Sequence, residues 1–226
     1  MKLSVIMPVY NEKRTLPLIL EKVLAVDIPK QVIIVNDGST DSTRDLLTAI
    51  EGSYPDVQVI HHQVNRGKGA AIRTALKQVT GDVVVIQDGD LEYDPEDYHK
   101  LLAPIREGKA EVVYGSRVLG RGKKSYVRYY LGGKLLSFVV NWLYGVHITD
   151  EPTCYKAFTR RALREVNLEC TGFEFCPEVT AKVLKRGCRI HEVPISYRPR
   201  RMQEGKKIRW KDGLVALWTL LRLWLR

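Results

Sequence analysis

Apolar positions over the first 115 residues come in short blocks whose spacing switches between two periods. Leu3–Val9 is a run of strand length, and Thr15–Ala25 places Leu16, Ile19, Leu20, Val23 and Leu24 on one face of a helix. The pair of patterns then repeats. Val32–Asn36 predicts a strand, and Asp41 is placed to cap a helix carrying Leu46, Leu47 and Ile50. Val57–His61, Asp82–Gln87 and Glu111–Tyr114 predict further strands, separated by helices over Gly69–Val79 and Glu96–Arg106. Asp94 and Pro95 supply an N-cap and a first helical position ahead of the second of these. Such alternation predicts an α/β fold, a mostly parallel sheet covered by helices on both faces.

The pattern changes after Ser116. Residues 117–128 are basic and contain glycine, which predicts a mobile loop. Leu131–Val146 predicts a helix with the apolar stripe Leu135, Leu136, Phe138, Val139, Trp142 and Leu143. Glu174–Arg186 predicts another, ended by Gly187, and Ile190–Tyr197 alternates like a strand. Residues 198–211 are crowded with Arg and Lys, and the chain closes on DGLVALWTLLRLWLR. That last stretch is too short to span a bilayer and apolar all round. An interfacial helix anchored by tryptophans and basic residues fits it, and so does a helix packed on the sheet. With no repeat or linker, one body over 1–200 and a basic, apolar tail over 201–226 are expected.

At 226 residues the chain can bury a substantial core without staples. Its hydrophobic fraction of 45% is ordinary, but its formal net charge of +10 is not. That balance favours an anionic partner: nucleic acid, phosphorylated small molecules or an acidic membrane surface. Cys154, Cys170, Cys176 and Cys188 include no C-x-x-C pair, which speaks against a zinc site. Met1 and Lys2 lead straight into the first strand with no leader pattern, so free thiols in a reducing cytoplasm are expected. No apolar run approaches the ~20 residues of a membrane span. Gly67-Lys68 and Gly205-Lys206 lack the Ser or Thr and the upstream glycine of a Walker A loop. Ile72 stands where a dinucleotide fingerprint needs its third glycine, and no G-x-S-x-G elbow occurs.

The most informative segment is VVVIQDGDLEYDPED at 83–97, where a buried strand runs into Asp88, Asp90 and Glu92. Carboxylates at the carboxyl end of a strand lie where open α/β sheets bind ligands. Oxygen ligands at this spacing suit Mg²⁺ or Mn²⁺ shared with a diphosphate. The first strand ends in Asn11 and Glu12, which suit a base or ribose as well as they suit a plain turn. The second ends in Asn36 and Asp37. Three strand tips in succession bearing acids or amides suggest a row of acceptors for a sugar nucleotide and its metal.

The chain resembles the family 2 glycosyltransferases of GT-A fold, in the branch of the dolichyl-phosphate mannose and glucose synthases. The matching motifs are PVYNE at 8–12, NDGSTD at 36–41, NRGKGAA at 65–71, DGDLE at 88–92 and GSR at 115–117. D-x-x-T-C-Y-K at 150–156, FEFCPE at 173–178, EVPISY at 192–197 and R-x-x-x-EGKKI at 200–208 follow in order. The resemblance implies a catalytic domain over 1–200, with a nucleotide-sugar half at 1–116 and an acceptor half at 117–200. It implies nucleotide contacts from Pro8, Tyr10, Asn11, Glu12 and Asp37, with Lys68 and Asp88 near the donor. Asp88, Asp90 and Glu92 would hold the metal, Mg²⁺ or Mn²⁺, and Arg117 would face the phosphates. Arg200 and Lys206 match a basic pair near an acceptor phosphate; Arg128 is a weaker match because its flanks differ. Asn36 stands where many relatives carry aspartate, and Cys176 where an acid is frequent.

The implied reaction moves mannose or glucose from GDP-mannose or UDP-glucose to a polyprenyl phosphate, with inversion at the anomeric carbon. A phosphate monoester has a second pKa of about 6 and needs cations rather than a base. A hydroxyl acceptor would need one. Asp150 is then the first candidate, though a loop acid before Pro152 describes it equally well. The tail and the 131–146 helix would hold the protein peripherally at the cytoplasmic face of a membrane. A nucleic-acid partner would also suit the charge, but no recognition helix or aromatic RNA-binding signature occurs. A catalytically dead scaffold of the same fold is opposed by the intact acidic cluster.

Overall fold

The computed structural model describes residues 1–120, 126–164, 166–200, 207 and 209–226. Seven strands form one sheet: β1 (Leu3–Val9), β2 (Lys30–Asn36), β3 (Val57–His61), β4 (Val83–Ile86), β5 (Val112–Ser116), β6 (Lys156–Thr159) and β7 (Ile190–Pro194). Their order is β3-β2-β1-β4-β6-β5-β7. All the pairings are parallel except those of β6, which runs antiparallel to both β4 and β5. The mostly parallel α/β sheet expected from the alternation is therefore present, with β6 as an addition. Its inner strands are continuous apolar runs because both faces are covered: Val32–Val35 and Val83–Ile86 are all buried. Each such aliphatic side chain contributes about 1.5–3 kcal/mol relative to exposure.

The helices are α1 (Leu16–Ala25), α2 (Thr43–Ile50), α3 (Lys68–Leu76), α4 (Tyr98–Arg106), α5 (Val127–Tyr144), α6 (Arg160–Arg164), α7 (Phe175–Lys185) and α8 (Trp210–Leu225). Several starts differ from the sequence pattern, for local reasons. Asp94 does accept from Glu96 N–H, but Pro95–Asp97 make a single 3₁₀ turn before α4 begins. Asp41 accepts from Thr43 N–H one residue ahead of the α2 N-cap. Thr15 precedes α1 without capping it, because its hydroxyl is taken by Glu12 Oε2 (2.8 Å) and the Gly89 carbonyl (2.8 Å). The helix expected from Leu131 starts at Val127, so part of the expected loop is helical.

The C-terminal stretch forms α8, which packs on helices rather than on the sheet. Ala216, Thr219, Leu220 and Leu223 of α8 are buried, and the helix packs against α5 and α7, while its other face stays exposed. No helix among the described residues is long and apolar enough to cross a membrane.

Candidate functional site

Parallel strands finish on one edge of the sheet, and there β1, β2, β4 and β5 deliver residues 10–12, 37, 88–92 and 117. The loop after β7 arrives at the same edge with Tyr197 and Arg200. Because β6 runs the other way, the loop that enters it, 150–155, also arrives there.

At the tip of β1, beyond Pro8 and Tyr10, Asn11 has a φ of +51°, a left-handed conformation that asparagine tolerates. It grips the loop after β2: Thr40 N–H donates to Asn11 Oδ1 (2.8 Å) and Asn11 N–H to Ser39 Oγ (3.0 Å). Asp37 is buried and turned onto the chain itself. Its Oδ1 accepts from His62 Nδ1 (2.7 Å) and Arg66 N–H (3.0 Å), and its Oδ2 from Gly67 N–H (2.7 Å). The carboxylate thus holds the turn that opens α3 and presents Lys68. From there Lys68 Nζ donates to Asp88 Oδ1 (2.5 Å). Burial disfavours both charges, yet each partner sustains the other: the Lys68 pKa lies above its usual range and that of Asp88 below.

Asp90 is less well compensated. Burial and the Asp88 charge beside it push its carboxyl up to about 7, against the pull of Arg200. Arg200 is the centre of this region. Its Nη2 donates to Asp90 Oδ2 (2.5 Å), its Nη1 to Glu12 Oε1 (3.0 Å), and its backbone N–H to Glu92 Oε1 (2.8 Å). Among the described residues its buried Nε has no hydrogen-bond partner. Lys207 adds a second cation, donating to Glu12 Oε1 (2.8 Å) and to the Tyr10 carbonyl.

Arg117 makes a separate pair with Asp150. Its backbone N–H and Nε both donate to Asp150 Oδ2 (2.8 Å each), and Nη2 donates to Oδ1 (2.7 Å). Burial opposes the Asp150 charge, but Arg117 holds its pKa below the usual carboxylate range. Glu192 fixes this loop by accepting from the Thr149 and Asp150 amides. The Arg117 guanidinium lies 5.1 Å from the Tyr197 ring centre, and Tyr197 OH donates to Glu92 Oε2 (3.1 Å). One network therefore runs from Asp150 through Arg117, Tyr197, Glu92 and Arg200 to Asp90, Glu12 and Lys207.

Arg128 instead lies exposed in the first turn of α5, with its guanidinium over the Tyr129 ring. Lys206 lies outside the described residues. Sequence reasoning missed Lys207 and Tyr197, together with Cys154, whose Sγ lies 3.7 Å from Lys68 Nζ. Lys207 had a signal, its place in the basic run, but nothing to separate it from Lys206.

Among the described residues no three His, Cys, Asp or Glu side chains converge as a ready-made metal cage. Asp88 faces Lys68, Asp90 faces Arg200, and Glu92 faces Tyr197 and the Arg200 amide. Mg²⁺ commonly uses one or two carboxylates and completes its shell with substrate phosphates and water. Asp88 and Asp90 supply that number of carboxylates, and a cation between them would offset the burial and the Asp88 charge that together raise the Asp90 pKa.

The chain is 30% identical to the undecaprenyl-phosphate mannosyltransferase of Micrococcus luteus, over 98% of this chain and 98% of that one. It is 31% identical to the low-salt glycan biosynthesis hexosyltransferase Agl6 of Haloferax volcanii over 88% of its own length, but spans only 48% of that relative. The dolichyl-phosphate beta-glucosyltransferase ALG5A of Trichomonas vaginalis is 29% identical over 86% of this chain and 65% of its own. Among solved structures, glucosyl-3-phosphoglycerate synthase from Mycobacterium tuberculosis, in complex with Mn²⁺, UDP-glucose and phosphoglyceric acid, superposes with a TM-score of 0.75. That match covers 99% of this chain and 79% of the other at 20% identity, a likeness of fold. Residues 4–167, most of the sheet and its acidic edge, match the family described as Glycosyl transferase family 2, and the chain belongs to that family of glycosyltransferases.

Proposed function

We propose that this glycosyltransferase moves a hexose, mannose or glucose, from GDP-mannose or UDP-glucose to a polyprenyl phosphate, inverting the anomeric carbon. The observation that carries the proposal is the pairing of Asp150 with Arg117. A hydroxyl acceptor must lose a proton to a base, and the acid best placed for that task is tied into three hydrogen bonds with a depressed pKa. A phosphate dianion needs no base. It needs cations, and Arg117 and Arg200 belong to the same network. Named relatives act on polyprenyl phosphates, which supports the same class of acceptor.

In this reading the nucleotide lies across the tips of β1 and β2, over Pro8, Tyr10, Asn11 and Glu12, with Asp37 shaping the turn below. Asp88, Asp90 and Glu92 are the residues that would hold Mg²⁺ or Mn²⁺, which supplies charge neutralisation at the diphosphate. Lys68 adds a fixed positive charge beside Asp88. An acceptor phosphate oxygen attacks the anomeric carbon from the face opposite the diphosphate. The bond to the diphosphate oxygen breaks, and the nucleoside diphosphate leaves with the electron pair. Arg117, held by Asp150, and Arg200 orient the acceptor phosphate; Arg128 and Lys206 are the further candidates for that role. Residues 1–116 then serve the donor and 117–200 the acceptor. The enzyme works peripherally at the cytoplasmic face of a membrane, where four free thiols suit a reducing compartment.

The test supplies labelled GDP-mannose and UDP-glucose separately with polyprenyl phosphate and Mg²⁺ or Mn²⁺, beside an Asp90→Ala control. Lipid-linked product from one donor, lost in the control, is expected. Transfer to a hydroxyl acceptor with none to polyprenyl phosphate overturns the acceptor assignment.

A further inference from the structure

All four tryptophans of the chain lie on two helices, and all four are exposed. Trp142 on α5 keeps 73% of its surface open, and Trp210, Trp218 and Trp224 on α8 keep 73%, 63% and 48%. They belong to regular stripes. On α5, Leu131, Leu135, Phe138 and Trp142 are exposed at i, i+4, i+7 and i+11. On α8, Trp210, Leu214, Trp218, Leu221 and Leu225 are exposed at i, i+4, i+8, i+11 and i+15. The two helices pack on each other, and Tyr144 OH donates to the Leu220 carbonyl (3.2 Å). Exposed cations border the stripes: Arg128 in the first turn of α5, and Arg209, Lys211 and Arg226 at the ends of α8. Monomeric soluble proteins seldom leave so many large apolar side chains open on two helices packed together.

Tryptophan and leucine flanked by Arg and Lys are the side chains of helices that lie in a bilayer interface. Indoles sit at the headgroup level, and cations reach anionic headgroups. A second copy of the chain is a poorer occupant, because a two-fold interface would set the same cations against one another. We propose that α5 and α8 together form a docking face for an anionic bilayer and hold the acceptor side of the active site against it.

The connections support that orientation. β5 leads through Arg117 into α5, and the segment bearing Arg200 and Lys207 leads into α8. Lys207 touches Glu12 and precedes Trp210 by three residues, at most about 11 Å of chain. This placement deepens the polyprenyl-phosphate reading and rests on it for the meaning of the acceptor side.

The experiment sediments the full chain with vesicles of phosphatidylcholine alone or mixed equally with phosphatidylglycerol, free of polyprenyl phosphate. The wild type is expected to bind the mixed vesicles, less so at high salt. The double variant Trp142→Ser/Trp218→Ser is expected to bind about tenfold or more weakly. It should melt like the wild type and transfer sugar equally well to a water-soluble short-chain prenyl phosphate. Equal binding by variant and wild type overturns the docking face, as does a wild-type dimer that the variant dissolves. Vesicle binding without transfer to any prenyl phosphate upholds the face and overturns the acceptor assignment alone.

Discussion

Asp90 and Asp150 lie at the same edge of the sheet, both almost wholly buried, and their surroundings drive them apart. Burial and a second carboxylate push Asp90 up to about 7, whereas burial of Asp150 is outweighed by a guanidinium that donates twice from its side chain. The folded pKa of Asp150 lies below its ordinary 3.8, so its pairing adds stability that is fully present above that value. The contribution fades as the pH falls through the folded pKa. Asp150→Asn keeps the shape, leaves Arg117 without its counter-charge, and is expected to cost about 3 kcal/mol at neutral pH. Melting temperatures of both proteins across pH check this: the gap should be widest at neutral pH and narrow below about pH 4. A gap that stays constant down to about pH 2 would show that the charge of Asp150 adds nothing.

At the scale of elements, the turn from β3 into α3 carries Lys68, proposed to lie beside the donor, and its shape depends on Gly67. That residue has a φ of +93°, and a Cβ there would stand 2.3 Å from the Thr171 carbonyl oxygen. Gly67→Ala is expected to cost about 1–3 kcal/mol and to raise KM for the sugar nucleotide by displacing Lys68. Gly52 also has a positive φ, of +78°, but open space around it. Gly52→Ala should therefore lower stability by about 1 kcal/mol and leave KM unchanged, so measuring both separates backbone strain from loss of the site. The strand tips themselves were legible in the sequence because parallel strands buried on both faces are unbroken apolar runs. β6 was not. It has four residues, and it begins with Lys156, a fully buried lysine that donates to the Glu151 carbonyl and lies 3.6 Å from the Tyr114 ring centre. A local pattern cannot reveal a strand whose charged residue is satisfied by tertiary contacts. The same limit applies to the site. Asp88, Asp90 and Lys68 announce themselves by position, but the partner of each charge is set by folding, and Arg200 meets Glu12 from 188 positions away.

At the scale of the whole molecule, that long-range contact ties the loop after β7 to the tip of β1 through one guanidinium. Arg200 pairs with Asp90 and Glu12, where the donor is proposed to bind, while its own proposed task is at the acceptor phosphate. Its buried Nε has no hydrogen-bond partner among the described residues, so the carboxylates do not use all of its donors. Its backbone is tied down as well: Arg198 N–H donates to the Glu92 carbonyl (2.9 Å), Arg200 N–H to Glu92 Oε1 (2.8 Å) and Ser196 N–H to Asp97 Oδ2 (2.6 Å). Mg²⁺ brought in with a nucleoside diphosphate would offer Asp90 a stronger counter-charge than one arginine does. Arg200 and the segment around it should then loosen from the acidic edge and turn toward the acceptor, so that donor binding precedes acceptor binding. Amide hydrogen exchange reads this directly. Adding GDP or UDP with Mg²⁺ is expected to speed exchange at Arg198 and Arg200 while slowing it at residues 88–92. Arg200→Gln removes the competitor, so it should bind the metal and nucleotide more tightly by calorimetry while its KM for the lipid phosphate rises. Slower exchange at Arg198 and Arg200 on donor binding, with weaker metal binding by Arg200→Gln, would mean instead that Arg200 belongs to the donor site throughout the cycle.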